Sequence, residues 1–192
     1  MSKRTELIAE FCPNGVEWKP LGELATINRG VRVTKDILAQ IGSIPVYQNS
    51  LTPLGFFEKA NRKANTTFVI SAGGAGQIGF SNIAFWAADD CFTFDDTFNL
   101  LNKYIYYFLQ TKQNFIDSRV RRGSIPRISR DIFEKIKIPL PPLPVQEEIV
   151  RILDTFTELT AELQAELQAE LQARKKQYEY YRDRLLTFNE KS

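Results

Sequence analysis

The run Pro139-Leu140-Pro141-Pro142-Leu143-Pro144 is followed by a stretch, Val145 to Ser192, that contains neither glycine nor proline. Proline lacks the amide proton that a helix or ladder needs, so the first segment is extended and stiff. The second stretch is dominated by Leu, Ala, Glu, Gln and Lys, all strong helix formers. Pro144 suits the first helical position, and Glu147 and Glu148 suit the positive end of the helix dipole. The sequence therefore predicts one helix from Pro144 to Phe188, about 65–70 Å long at 1.5 Å per residue. A lone helix of that length has no reason to persist in water.

The apolar stripe of this helix implies a partner. Ile149, Leu153, Phe156, Leu163, Leu167, Leu171, Tyr178, Tyr181 and Leu185 recur at spacings dominated by four and three, the mark of a coiled-coil seam. Within it Ala161 to Gln172 is a literal AELQ-AELQ-AELQ repeat. Each four-residue step turns about 400°, so the leucines drift by only about 40° and the supercoil is locally unwound. Charge sets the direction of pairing. Glu147, Glu148, Asp154, Glu158, Glu162, Glu166 and Glu170 face only Arg151 in the first half, whereas Arg174, Lys175, Lys176, Arg182, Arg184 and Lys191 dominate the second. Two copies laid antiparallel place acid beside base, and two laid parallel place like on like. The expectation is an antiparallel two-fold dimer, the alternative a helix folded back on its own head.

The fold class expected is α+β: a mixed α/β globular domain over residues 1–143, then a single long helix over residues 144–192 that pairs as an antiparallel coiled coil. Strands are expected at Ile44–Val46, Phe68–Ser71, Phe92–Phe94 and Lys135–Ile138, where β-branched and aromatic residues cluster. One helix is expected over residues 99–116, with Leu101, Ile105, Phe108, Leu109 and Phe115 on its inner side and Asn99 or Thr97 as cap. A short second helix should start at Ser129.

Residues 74–79 read GAGQIG, which matches the G-x-G-x-x-G dinucleotide fingerprint. There the last glycine opens a helix, but here the chain continues FSNIAFWAADDCFTF, which reads as strand and turn. Asp95 and Asp96 fall near the spacing of a ribose-binding acid, so a nucleotide enzyme stays open beside a tight glycine loop. Such a loop could also approach a ligand closely, with Ser71, Gln77 and the amide of Gly74 donating to phosphates or base edges.

A basic stretch favours nucleic acid. Arg119, Arg121, Arg122, Arg127 and Arg130 fall within twelve residues, in a loop marked by Gly123 and Pro126, with Ser124 and Ser129 adding hydroxyls. Arginine offers planar bidentate contacts to phosphate or guanine. Gln48, Asn49, Ser50, Lys59, Arg62 and Lys63 are further DNA-binding candidates on loops. A solvated basic loop is the plain alternative.

Gly123, Ser124, Ile128, Ser129, Phe133, Ile136, Ile138, Pro139, Pro141, Pro142 and Gln146, together with the opening GVEWKPLGELATINRG and the Ala-Glu-Leu repeats, resemble the DNA-specificity (S) subunit of type I restriction–modification systems. The resemblance spans nearly the whole chain except the divergent middle, roughly residues 30–120. It implies a non-enzymatic reader of a bipartite double-stranded DNA site. Methyltransferase (M) subunits would bring S-adenosylmethionine for adenine methylation, and restriction (R) subunits would bring ATP, so no cofactor is expected on this chain. A full S subunit has two recognition domains and two helices, and this chain resembles one of each. The resemblance thus implies a half subunit whose seam, Leu153, Phe156, Leu163, Leu167, Leu171, Tyr178, Tyr181 and Leu185, joins two copies. A coiled-coil adaptor using PLPPLP as a peptide ligand is the competing class.

Absences narrow the chemistry. The 192 residues contain no histidine, which removes His-based nucleophile systems and most zinc sites, and two unpatterned cysteines, Cys12 and Cys91, cannot make a thiolate zinc site. Neither an N-P-P-[YF] motif nor a Walker lysine is present. No run of about 18 apolar residues and no secretory signal occurs, so a reducing cytoplasm is the expected setting.

Overall fold

A computed structural model of the chain describes residues 3–188; Lys191, counted above in the basic half of the tail, lies outside them. In chain order the elements are α1 (Lys3–Phe11), β1 (Trp18–Pro20), α2 (Leu21–Leu24), β2 (Thr26–Arg29), a 3-10 turn (Lys35–Ile37), β3 (Ile44–Tyr47), β4 (Gly55–Phe57), β5 (Thr66–Ile70), β6 (Ile78–Ser81), β7 (Trp86–Ala87) and β8 (Cys91–Asp95). They continue with α3 (Asn102–Thr111), α4 (Gln113–Arg119), α5 (Arg130–Glu134), β9 (Lys137–Pro139) and α6 (Leu143–Leu186). The four expected strands thus form, each with its boundaries displaced by a residue or two.

An antiparallel sheet in the order β2-β8-β5-β6 occupies the middle of the head. Every residue of β5 is buried, so the strand is covered on both faces. Alternation along it separates two cores. Val69 joins Phe92, Phe94, Ile105, Leu109, Ile116 and Phe133 under the helices, while Phe68 and Ile70 join Phe85, Ala87 and Cys91 on the other side. Tyr47 of β3 closes that second core, its ring 4.6 Å from Phe68. It brings with it a three-stranded sheet, β4-β3-β7, in which β3 and β7 run parallel. Asn102 ties α3 to the sheet. Its Oδ1 accepts from the Thr67 amide at 2.6 Å and its amide nitrogen donates to the Phe94 carbonyl.

Cys91 lies within the second core, its Sγ 3.3 Å from the carbonyls of Tyr47 and Gln48. Burial pushes its thiol up to about 12. An unfolded thiol ionises near 8.5, so between about pH 8.5 and 12 the folded chain keeps a proton that the unfolded chain has lost. Stability therefore falls as pH rises through that window. At pH 8.5 iodoacetamide should label Cys91 only after unfolding; equal rates in the native and denatured chain would contradict this placement.

The helix expected over residues 99–116 is two helices, broken at Lys112 (φ −102°, ψ 8°). The break changes which residues face inward: Ile116 is fully buried, whereas Phe115 is exposed beneath the Arg119 guanidinium, 5.0 Å from its ring. Neither Asn99 nor Thr97 caps α3. The cap is Leu101, in extended geometry without a side-chain bond, and Asn99 adopts φ 51°. The short helix does begin after Ser129, whose hydroxyl hydrogen-bonds the Asp131 carboxylate and holds it below the usual carboxylate range.

Gln146 explains the geometry around Asn99. Fully buried, it accepts from the Leu101 amide at 2.9 Å and donates to the carbonyls of Asn99 (2.9 Å) and Pro141 (2.8 Å). The proline run is likewise built into the head. Pro139 ends β9, the Leu140 amide donates to Glu17, and Pro141 is buried. A segment packed this way is not free to serve as a peptide ligand. Helix α6 starts one residue before Pro144, so Glu147 and Glu148 fall in its second turn, not its first.

The chain divides into two units between Val150 and Arg151, inside α6. Val145, Gln146 and Glu148 are buried and Ile149 and Val150 pack on the main core, so the opening turns of the helix belong to the head. In the second unit every described residue from Thr155 onward is exposed, seam leucines included: Leu163, Leu167 and Leu171 are 65%, 68% and 50% exposed. Leu153 is half-buried, and Leu159, which the seam assignment omitted, is a further exposed leucine between Phe156 and Leu163. Among the described residues no helix is long and apolar enough to cross a membrane.

Candidate nucleic-acid interface

Strand register brings several loops to one rim of the head. β5 ends at Ile70, paired with Cys91 at the start of β8, and β3 ends at Tyr47, paired with Ala87 at the end of β7. The loops after Tyr47, Ile70 and Ala87 therefore emerge together. The segment 121–127 is added to them by backbone bonds. Arg121 and Arg127 exchange two, at 2.8 and 3.1 Å, which closes a hairpin. Arg127 bridges to Ala72, and the Ile128 amide donates to Ser71 at 2.9 Å.

The glycine stretch is the hub of this arrangement. Gly73 and Gly76 adopt φ +80° and +91°, and the segment is the hairpin connection between β5 and β6. A side chain at Gly79 would collide with the Phe68 ring, which lies against it. Its glycines thus serve turn geometry and close packing, and no helix follows. The nucleotide reading fails on that geometry, and Asp95 is occupied by Arg62 at 3.3 Å.

The same geometry corrects the expectation that the loop's amides cradle phosphate. Gly73 donates to the Pro126 carbonyl (3.0 Å), Gly74 to Asn49 (2.8 Å), Gly76 to Ile70 (2.9 Å) and Gln77 to Gly74 (3.1 Å). The first two fasten three loops together and the last two close the turn itself, so none of the four donors is left for a phosphate. Ser71 is buried, with its backbone held by Asp90 and Ile128. What the rim does present is the Gln77 side chain, Asn49, Arg121, Arg122, Ser124 and Arg127, all exposed, and half-buried Gln48 and Ser50, the latter bonded to Thr52. A cavity of about 320 Å³ opens among them, lined by Gly73, Gly74, Gln77, Asp117, Arg122 and Pro126. Arg119 projects from the last turn of α4, just before the hairpin.

Three candidates lie elsewhere. Lys59 follows β4 at the end opposite Gln48–Ser50 and pairs with Glu58 at 3.3 Å. Lys63 precedes β5, again at the opposite end. Arg62 is a structural pin. Its Nε donates to Thr93 at 2.6 Å, and its other nitrogens to the carbonyls of Asn61 (2.7 Å) and Arg29 (3.2 Å). Three of its five N–H donors are engaged, its charge is matched by Asp95, and its side chain is only 13% exposed, which is the setting of a structural cation and not of a phosphate reader. Sequence reasoning missed the turn Ala88–Asp90 at this rim, whose two aspartates carried no motif; the Asp90 carbonyl accepts from the Ser71 amide at 2.7 Å.

Comparison with known proteins gives this rim its context. Residues 13–173 match the family described as the type I restriction modification DNA specificity domain, and the chain belongs to that family. A type I restriction enzyme specificity subunit of Haemophilus influenzae is 38% identical over 185 residues, covering 91% of this chain and 47% of that protein. The EcoR124I/EcoR124II specificity subunit of Escherichia coli is 50% identical over 102 residues, covering 50% of this chain and 23% of its own. Among solved structures, the S subunit of a type I restriction–modification system from M. genitalium shares the fold, with a TM-score of 0.69 at 21% identity, over 85% of this chain and 45% of that one. This chain thus spans about half the length of these longer relatives. Specificity subunits are non-catalytic components of type I restriction systems, and the chain is of that kind.

Proposed function

We propose that the chain acts as a half-length specificity subunit that reads double-stranded DNA through the arginine hairpin and adjoining loops. It pairs with a second copy through the tail helix. Convergence of residues 48–50, 71–77 and 121–127 on one rim is the observation that carries this reading. Arginine beside asparagine and glutamine is the side-chain set that contacts phosphates, guanine and adenine.

The tail supports the pairing. From Phe156 to Leu185 it exposes a row of large apolar side chains, interrupted only at Arg174 and Lys175, which a single helix in water has no means to cover. Its acidic first half and basic second half match only when two copies run antiparallel. The dimer then carries two identical reading heads and selects an inverted repeat interrupted by an unread spacer. M subunits dock on this assembly and methylate adenine from S-adenosylmethionine. R subunits add ATP-driven restriction. The whole works in the cytoplasm, and the chain itself holds no cofactor. Functionally the division lies at the prolines, with residues 1–143 reading and residues 144–192 joining and spacing.

The test is selection of bound sequences from a randomised duplex pool by the full chain. Inverted repeats with one spacer length are expected. Each AELQ unit contributes about 6 Å of helix, under two base pairs at about 3.4 Å each. Deleting one unit should shorten the preferred spacer accordingly. Selection of single, unpaired half-sites, or a spacer indifferent to the deletion, would refute the ruler.

A further inference from the structure

We propose that the hairpin 121–127 enters the major groove and that Ile125, exposed on its loop beside the central Ser124, packs against the methyl group of a thymine. This rests on the DNA-reading function proposed above and assigns it a groove and a chemical feature of the base.

The hairpin is rigid at its base and open at its end. The Arg121–Arg127 pair, the Ala72–Arg127 bridge and the Gly73 amide on the Pro126 carbonyl fix where it leaves the head. Beyond that anchor Arg122, Gly123, Ser124 and Ile125 are exposed, and the space beside the Gly123 α-carbon is empty out to 4 Å. Ile125 is 53% exposed. A solitary exposed isoleucine on a protein surface needs no explanation. This one stands on a bridged loop whose other exposed side chains are three arginines and a serine. The surface it meets must therefore be anionic and carry an apolar feature within a few ångströms of its acceptors.

Duplex DNA offers both side by side in its major groove. The major groove, about 12 Å wide, admits a two-stranded ribbon and presents the guanine N7 and O6 acceptors beside the thymine C5 methyl; the minor groove, about 6 Å wide, presents no methyl. Arg121, Arg122 and Arg127 are placed to take phosphate or guanine while Ile125 covers the methyl. The sequence supplied each residue but not the anchor: Gly123 and Pro126 marked a loop, and only the Arg121–Arg127 pair and the Gly73–Pro126 bond show where it leaves the head.

Uracil for thymine removes that methyl and nothing else, so it isolates the contact. In the duplex that the full chain selects, each thymine is replaced in turn by uracil and binding is measured by anisotropy. One thymine per half-site is expected to matter, by about fourfold, the worth of a single buried methyl. Ile125→Ala should bind the thymine and uracil duplexes equally, and Ile125→Val should keep the preference. Thermal melting of both variants should match the parent, since the side chain is exposed. A selected site in which no thymine methyl matters, or an Ile125→Ala chain that still distinguishes the two bases, overturns the Ile125 assignment and leaves the DNA-reading function standing. Absence of any sequence-selective binding by the full chain overturns both.

Discussion

Replacing Gln146 by leucine is expected to destabilise the head by about 3–5 kcal/mol, since each buried backbone group left without a partner costs about 1–3 kcal/mol. Three backbone groups depend on this side chain: the Pro141 carbonyl in a buried bond, and the Leu101 amide and Asn99 carbonyl in part-buried ones. Leucine fills a similar volume, so the loss is of hydrogen bonding and not of packing. The three groups come from the proline run and from the loop leading into α3, so the substitution also loosens the start of α6 where it is built into the core. Urea unfolding followed by tryptophan fluorescence measures the effect. A change below about 1 kcal/mol, the net worth of one ordinary hydrogen bond, would show that Gln146 is not the fastening it looks to be.

Leu167→Glu should convert the proposed dimer into monomers at micromolar concentration. The free part of the tail runs from Arg151 to Leu186, and its midpoint falls beside Leu167. With the two free tails overlapped end to end, the two-fold axis falls between Gln168 and Ala169, so the Leu167 side chains of the two copies lie within one helical turn of each other. One substitution therefore puts two carboxylates into the seam against each other, where burying an unpaired charge costs several kcal/mol. Light scattering should report half the parent mass, and selection of two-part sites should be lost while the head melts at its usual temperature. A parent chain that is already monomeric, or a variant of unchanged mass, would end the dimer proposal.

Much of the architecture can be read from local pattern. The strands around Val46, Val69 and Phe94 are runs of β-branched and aromatic residues, and no competing helical period disturbs them. The long helix is equally legible, because a stretch from Val145 onward without glycine or proline leaves the backbone no other regular choice. Its start was displaced by one residue, and the helix over 99–116 was split at Lys112, because those details depend on what packs beneath them. Periodicity alone put Phe115 inside, and the break put Ile116 there.

The candidate interface was legible as a list of residues and not as a place. Arg121, Arg122 and Arg127 could be picked out by composition, and Asn49 and Gln77 by their chemistry, but nothing local says that loops 20 to 50 residues apart share a rim. Pairing of Ile70 with Cys91 and of Arg127 with Ala72 brings them together. The same long-range bonds removed Arg62 from the candidates, since its partners Thr93 and Arg29 are 31 and 33 residues away.

By itself, then, the amino-acid order determined the division between a mixed head and a breaker-free tail, the tail's apolar side chains with their charge polarity, and a cluster of arginines over residues 119–130. These are properties of neighbours along the chain. Tertiary structure decided which donors stay available, because a hydrogen bond given to Pro126, Asn49 or Thr93 is no longer available to a ligand. It also decided that the glycines act as a clasp and not as a nucleotide cradle, since only the packed sheet shows that β6 comes after them where a helix would have to start.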